Sequence, residues 1–561
     1  MLQEEDPMSP DVPDQLRPLM IEREQIRLAH NAGAAGTTTV RNLTGALDRA
    51  ISLMVPDSTG KKAAVAAVGE YGRGHTPPFA EIELLIIAAD NPDALGDEIC
   101  NALWAAGVEA GFQVCAPEPN GPPRSDMNES IKMLDARLVT GNQTLFEAWQ
   151  ESTITRLMGS SDEFSDSLRE STKSRHMSGD DVTAALEPDL KAGNGGLEDL
   201  AAIQWINLIC AGESVVSADD LASSVEAIHR ARCEIQYFTG RYEDLLKVDY
   251  RDPVGRRLLG TSTAGAHAGG AASPEVALMS SVYRAGRTIA FALEQLLYPD
   301  DPARAAAQAF EAALAAGKGQ TWAGEARRAF VNLLSINGLS SFRALDHSGA
   351  WLAAIPEWAS IQRLPQRSSY HHFAVDVHCV QTAATAAQLG ADPDVLVKRI
   401  AGNLNGDKET LLWAALLHDI GKGSYQDHSQ VGEELARKVL ERAGVPAIQA
   451  ADVCWLVKNH LLLSQTATRR DITDESLLWS MSETIQSTRR LNLLFLLSVA
   501  DGKATGPAAW STWKAGLISR LFTRLAHILE TPEGVDPGGV PSAHEQMEAI
   551  RTALSGYPGL E

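Results

Sequence analysis

Fourteen histidines occur in the chain, and six of them fall between His371 and His460. The apolar run Leu411–Leu417 (LLWAALL) has helical spacing and ends in His418-Asp419-Ile420-Gly421-Lys422-Gly423. Placing an imidazole and a carboxylate side by side at the end of a buried helix is costly unless something satisfies both. A divalent cation does so, because imidazole nitrogen and carboxylate oxygen suit hard-to-borderline ions. Upstream, Tyr370–His378 (YHHFAVDVH) offers His378 at the start of a helix. Downstream, His428, His460 and Asp501 each occur at the end of an apolar helical segment. A lone buried histidine is more often a hydrogen-bonded core residue than a ligand. The order His, His-Asp, His, His, Asp along helical sequence is more specific. His378, His418, Asp419, His428, His460 and Asp501 are therefore expected to bind one metal ion, with two conceivable. His347, His371 and His372 are expected at the surface or behind the ligands.

The elements that position this set are mostly helical. Residues 1–18 are acidic and proline-rich and read as disordered. Residues 19–54 read as a helix pair broken near Gly33–Gly36. Ala63–Gly69 and Ile82–Ala88 read as buried strands flanked by amphipathic helices, the second entered through Pro77-Pro78, in an α/β unit ending near Gln150. From Thr153 onward strand signal is nearly absent, and 181–186, 197–211, 220–246, 275–297, 303–316 and 323–336 have helix-like spacing. Gly260–Ser273 reads as a loop, helices continue from Trp351 to about Leu529, and 531–541 reads as a linker. The expected fold class is α+β and predominantly α-helical.

The 561 residues suggest several domains. A net charge of −23 disfavours a non-specific nucleic-acid binder, although a divalent metal can still carry nucleotide phosphates. No apolar stretch approaches the ~18–20 residues that span a bilayer, and the first residues have no signal-peptide pattern. Six scattered cysteines without a CxxC pair fit a reduced compartment. A cytoplasmic protein with no nucleic-acid or membrane partner is expected.

HDIGKG, with its distant His and Asp, resembles the HD-domain phosphohydrolases. YHHFAVDVH, DHSQVGEE, VKNHLLLSQTATRRD and VADGKATGPAAWSTWK are similar to something narrower, the uridylyl-removing domain of the family of bifunctional uridylyltransferase/uridylyl-removing enzymes that modify the PII nitrogen-signalling protein. The likeness spans roughly residues 20–530. It includes Asp346–Ile361, and Glu187–Ile206 resembles that family's Gly-Gly-Leu-Arg-Asp segment, with Glu198 where the family has Arg.

The resemblance implies a polymerase-β-like nucleotidyltransferase domain over 56–150, after N-terminal helices at 19–55. A helical domain follows over 151–345, then an all-α HD domain over 346–530, then a linker and weak helix over 531–561. The family's transferase signature is a Gly-Gly-x-x-Arg turn followed by Ser-Asp-x-Asp on the next strand. Here the turn is Gly69-Glu70-Tyr71-Gly72-Arg73 and the strand begins Ala80-Glu81-Ile82-Glu83. Gly69, Gly72 and Arg73 would face the nucleotide. Glu81, Glu83 and Asp126 would hold Mg²⁺. Two residues apart on a strand, Glu81 and Glu83 share a face. The longer Glu side chain displaces the oxygens by more than the ~0.5 Å that catalytic constellations tolerate. The family's Gly-His-Ser-Val-Arg reads Gly111-Phe112-Gln113-Val114-Cys115, which removes another phosphate-directed group. A working uridylyltransferase and a fold-retaining pseudo-transferase both stay open.

For the HD domain the resemblance implies hydrolysis of uridylyl-tyrosine on a PII-type protein, with Asp419 in the catalytic metal set, Lys422 steadying developing charge, and Mg, Mn or Fe as the metal. UTP and UMP would be the nucleotides. An HD phosphodiesterase acting on a free nucleotide, and a non-catalytic regulator binding PII or nucleotide, are the rival readings. Residues 531–561 are too few for the family's C-terminal ACT domains, so glutamine sensing by that route is expected to be absent.

Overall fold

The computed structural model describes residues 13–56, 62–89, 92–116, 127–178, 180–210, 216–259, 273–317, 321–336, 338–366, 373–404, 406–424, 426–506 and 509–530. Asp126, His371 and His372, the Gly-rich run 260–272, residues 1–12 and the segment 531–561 lie outside them. The chain forms two compact units. The first comprises 1–381 with 422–425, and the second 382–421 with 426–561.

In the first unit, a four-stranded sheet is built from β1 (Ala63–Val68), β2 (Ile82–Ala88), β3 (Ala110–Cys115) and β4 (Arg137–Gly141), in the order β3-β2-β1-β4. β1 runs antiparallel to β2 and β4, and β2 runs parallel to β3. Every residue of β1 is buried because the sheet has helices on both faces. Ala63, Val65 and Ala67 pack with helices Arg17–Asn31, Gly36–Met54 and Pro92–Ala105. Ala64, Ala66 and Val68 pack with Phe146 and Trp149 of helix Gln143–Met158. That two-sided burial explains why β1 reads as a continuous apolar run rather than an alternation.

Ile82, Leu84 and Ile86 of β2 enter the first of these cores, each contributing about 1.5–3 kcal/mol by burial. A one-residue slip would drive Glu83 into that core. The register that pairs Val68 with Glu83 therefore keeps Glu83 exposed at the strand's start.

Several sequence expectations change. A 3-10 turn at Asp14–Leu16 leads into Arg17–Asn31, with Leu16 buried and Pro18 in the first helical turn, so order begins earlier than residue 19. Residues 181–186 are not helical. Val182 N–H donates to Asn194 O, Thr183 N–H to the Asp181 carboxylate, and Pro188 disfavours helix at Glu187. The expected helix 220–246 is Ala218–Thr239, stopped by Gly240 at φ +67°. Helices Ser161–Ser178 and Val248–Leu259 are additional.

The second unit is helical throughout its described residues. Lys408–Leu417 is buried from Thr410 onward, and Leu493–Ala500 of helix Thr488–Thr505 is buried on all sides. Phe495 of the latter meets Phe522 of Thr512–Glu530 at 4.4 Å between ring centroids. Among the described residues, no helix is long and apolar enough to cross a membrane. All six cysteines are free thiols.

Candidate metal centre and candidate nucleotide cleft

His418 follows directly on helix Lys408–Leu417, and His460 follows directly on helix Ala447–Asn459. The two use the same construction. His418 Nδ1 lies 2.8 Å from Ala415 O, and His460 Nδ1 lies 2.7 Å from Val457 O. Each carbonyl, three residues back on the histidine's own helix, fixes the proton on Nδ1 and leaves Nε2 as the outward donor.

Both Nε2 atoms converge on one carboxylate. His418 Nε2 is 3.2 Å from Asp419 Oδ2, and His460 Nε2 is 3.6 Å from Asp419 Oδ1. His428, the first residue of helix His428–Arg442, brings its Nε2 to 3.9 Å from Asp419 Oδ1. Asp501 Oδ1 stands 3.7 Å from His418 Nε2. Asp419, His428 and His460 offer ligand atoms that all lie within 4.8 Å of one another.

The close approach of the His-Asp turn to helix His428–Arg442 requires Gly421, where a Cβ would meet His428 O at 2.1 Å. His378 is buried in the first turn of Val375–Gln388 and falls in the first unit. Lys422 also groups with the first unit, where its Nζ donates to Gln366 Oε1 at 3.3 Å.

Electrostatics suit a cation. Burial pushes the His460 imidazole down to about 4, which keeps it neutral and ligand-competent. Burial also acts against charge on His418, but the Asp419 and Asp501 carboxylates outweigh it and raise that group. His428 Nε2 is buried without a hydrogen-bond partner among the described residues. An orphaned imidazole nitrogen beside a carboxylate and two further imidazoles fits a divalent ion bound by nitrogen and oxygen.

The second constellation lies at the end of β1. Gly69, at φ +59°, turns the chain into the single helical turn Gly69–Gly72. Gly72 passes so close to Asp135 O that a Cβ would sit 2.1 Å from it. Glu81 and Glu83 are exposed on one face and line a cleft of about 280 Å³ with Gly69, Glu70, Arg73, Asp135, Lys191 and Glu198. Arg73 does not stand free towards this cleft. Its guanidinium bonds Asp135 and reaches Glu198 Oε1 at 3.4 Å. Asp135 also accepts from Trp205 Nε1 at 2.7 Å. Glu70 is held by Arg232 and Lys191. Sequence reasoning singled out none of Asp135, Lys191, Arg232 and Trp205, which come from distant segments. The only local signal was the likeness around Glu187–Ile206.

Behind the cleft, His229 is fully buried with both ring nitrogens lacking hydrogen-bond partners among the described residues. Its ring meets that of His75 edge-on at 4.6 Å. Burial, then the neighbouring charges of His75 and Arg232, hold His229 well below its ordinary value. Burial and Arg73 push His75 down to about 4. An unfolded histidine titrates near about 6.5. Below that pH the unfolded chain takes up protons that the folded chain refuses, so stability falls as pH drops from about 6.5 towards 4. His229→Phe is expected to lessen the loss of stability between pH 7 and pH 5, read as the shift in urea midpoint. An unchanged shift would assign the acid sensitivity to other groups.

With this geometry in place, the relationships of the chain are clear. The HD domain family model matches residues 375–501, a span that includes His378, and the GlnD PII-uridylyltransferase model matches 163–297. The bifunctional uridylyltransferase/uridylyl-removing enzyme of Streptomyces coelicolor is 28% identical over 88% of this chain and 66% of its own length. That of Mycobacterium tuberculosis is 30% identical over 86% and 66%, and that of Ruegeria pomeroyi 28% over 90% and 64%. The chain thus spans less than two thirds of the length of these relatives. By sequence the chain is similar along most of its length to the bifunctional uridylyltransferase/uridylyl-removing enzymes, and it carries an HD domain and a GlnD PII-uridylyltransferase segment.

Proposed function

We propose that the HD domain hydrolyses the phosphodiester of uridylyl-tyrosine on a PII-type protein, releasing UMP. The convergence of His418, His428 and His460 on Asp419 is the observation that carries this reading. His378, His418, Asp419, His428, His460 and Asp501 would hold a divalent metal, Mg or Mn, with Fe or a two-ion site also within reach of this donor set. Such an ion supplies Lewis acidity and lowers the pKa of a water towards neutrality. The chain's own residues do the rest. Burial keeps His460 neutral, and the Ala415 and Val457 carbonyls aim the His418 and His460 Nε2 atoms inward. Lys422 would offset charge developing on the phosphoryl oxygens. Water adds to phosphorus, the bond from phosphorus to the tyrosine oxygen breaks, and the phenol leaves with a proton.

The test is incubation of the purified protein with uridylylated PII, and separately with free nucleotides, in chelator and in each metal. Metal-dependent UMP release from PII is expected. Hydrolysis of free nucleotides alone would favour the free-nucleotide phosphodiesterase. A chain that neither binds metal nor hydrolyses either substrate would be a regulator.

The cleft supports at most weak UMP transfer from UTP to PII. Glu81 and Glu83 keep metal-binding oxygens on one face, but Arg73 is committed to Asp135 and Glu198. We expect little transfer by the wild type, because about 1.4 kcal/mol of lost stabilisation costs tenfold in rate. Robust transfer that disappears in Glu81→Ala would overturn this.

A further inference from the structure

We propose that the Glu70 carboxylate is a tethered anion that fills the cationic corner formed by Arg232 and Lys191 and closes that corner to the phosphates of a nucleotide. Glu70 lies on the turn directly after β1 and lines the cleft with Glu81 and Glu83. Its side chain is only 9% exposed. Arg232 reaches it from helix Ala218–Thr239 with a two-pronged grip, Nη1 to Oε1 at 2.6 Å and Nη2 to Oε2 at 3.1 Å. Lys191 Nζ stands 3.3 Å from Oε2. The Arg232 side chain is 0% exposed, and its other edge is taken by Asp244.

A planar guanidinium that grips a carboxylate through two parallel N–H bonds uses the geometry with which it grips phosphate. An ammonium beside it completes a recognisable oxyanion pocket. Glu70 supplies the oxyanion from within the chain. Despite burial, Arg232 and then Lys191 hold its carboxyl well below the usual range, which favours the ionised form that this grip requires.

The rest of the cleft offers no second paired cationic corner, only the exposed Lys132. Arg73 is bound to Asp135 and Glu198, and the five lining carboxylates Glu70, Glu81, Glu83, Asp135 and Glu198 outnumber the lining cations Arg73, Lys132 and Lys191. A phosphate entering this corner must displace Glu70 and leave that carboxylate unpaired beside its own charge.

The inference rests on reading the cleft as a nucleotide site, and its test is independent of hydrolysis at the HD domain. The probe is magnesium tripolyphosphate. Binding is measured by equilibrium dialysis and, locally, by protection of Lys191 from acylation, mapped by mass spectrometry with Lys132 of the same cleft as the internal reference. In the wild type, Lys191 should react more slowly than Lys132, and tripolyphosphate at about 1 mM should change neither. Glu70→Gln and Glu70→Gly should bind the probe about 100-fold more tightly and protect Lys191. Glu70→Gln with Arg232→Gln should lose that gain. Wild-type protein that binds the probe with protection of Lys191 would overturn the proposal, whether or not the variants fold. A folded Glu70→Gln variant with no gain would also overturn it, while leaving the hydrolase reading untouched.

Discussion

Asp419→Ala is expected to abolish both metal binding and UMP release, with hydrolysis falling by at least about 10³-fold, equivalent to about 4 kcal/mol. The size of the effect follows from the position of this carboxylate. It is the one group to which three imidazoles turn their Nε2 atoms, at 3.2, 3.6 and 3.9 Å. Without it, only Asp501, 3.7 Å from His418 Nε2, is left to offset the charge of a bound cation, and His428 and His460 lose the carboxylate that gathers them. Asp419→Asn separates charge from shape. It keeps the side-chain volume at the end of the buried helix, so it should fold like the wild type yet bind metal poorly. His428→Ala should cost less, because that ring is 30% exposed and its Nε2 is the most distant of the three. Elemental analysis for metal and chromatographic assay of UMP check these expectations. Metal stoichiometry unchanged in Asp419→Ala would show that the ion sits elsewhere.

The candidate metal centre, as a cluster of His and Asp side chains, was largely legible in the sequence because its signal is local. A His-Asp pair ending the apolar run Leu411–Leu417 is chemically conspicuous, and His460 repeats the same construction at the end of Ala447–Asn459. What no spacing rule reveals is that both rings are anchored through Nδ1 to carbonyls three residues back. The candidate nucleotide cleft was legible only as a frame. Gly69, Gly72 and the Glu81/Glu83 pair were visible because they lie within one hairpin. Their electrostatic setting was not, because Glu70 is paired with Lys191 and Arg232, far along the chain, and Arg73 with Asp135 and Glu198. The strands divide in the same way. β1 and β2 are buried and read as apolar runs. β3 is an edge strand whose Gly111 and Gln113 dilute any pattern, and β4 is short and half-buried throughout. The expected helix at 181–186 was wrong because Thr183 N–H is claimed by the Asp181 side chain two residues back, and Val182 N–H by Asn194 O across the fold; periodicity carries neither the local turn nor the tertiary contact.

Arg287→Met is expected to destabilise the first unit by about 3–5 kcal/mol, the usual cost of removing one partner from a buried ion pair. Arg287 is 6% exposed and lies on helix Pro274–Leu297. Its Nη1 and Nη2 donate to the two oxygens of Asp376 at 2.8 and 3.0 Å, and Nη1 also reaches Asp346 at 3.2 Å. Its Nε donates to Thr183 O at 3.1 Å. Methionine fills the space but supplies no charge, so two buried carboxylates would be left with only the more distant Arg363, 3.9 Å from Asp346, to offset them. Arg287→Lys should cost less, because it restores the charge without the fork that matches Asp376. Adding Asp376→Asn to Arg287→Met should recover part of the loss, since one of the orphaned charges then disappears. The consequence extends to function through the helix whose first turn holds Asp376. Asp376 anchors the first turn of Val375–Gln388, accepting Arg363 N–H at 2.8 Å, and His378 is two residues further on. If His378 is a metal ligand, loosening that turn should weaken metal affinity about 10–100-fold, the range seen when groups supporting a ligand are removed. Urea unfolding and metal titration of Arg287→Met read the two effects separately. A loss of stability below about 1 kcal/mol would show that the cluster behaves as a solvated surface pair. Lost stability with unchanged metal affinity would remove His378 from the ligand set.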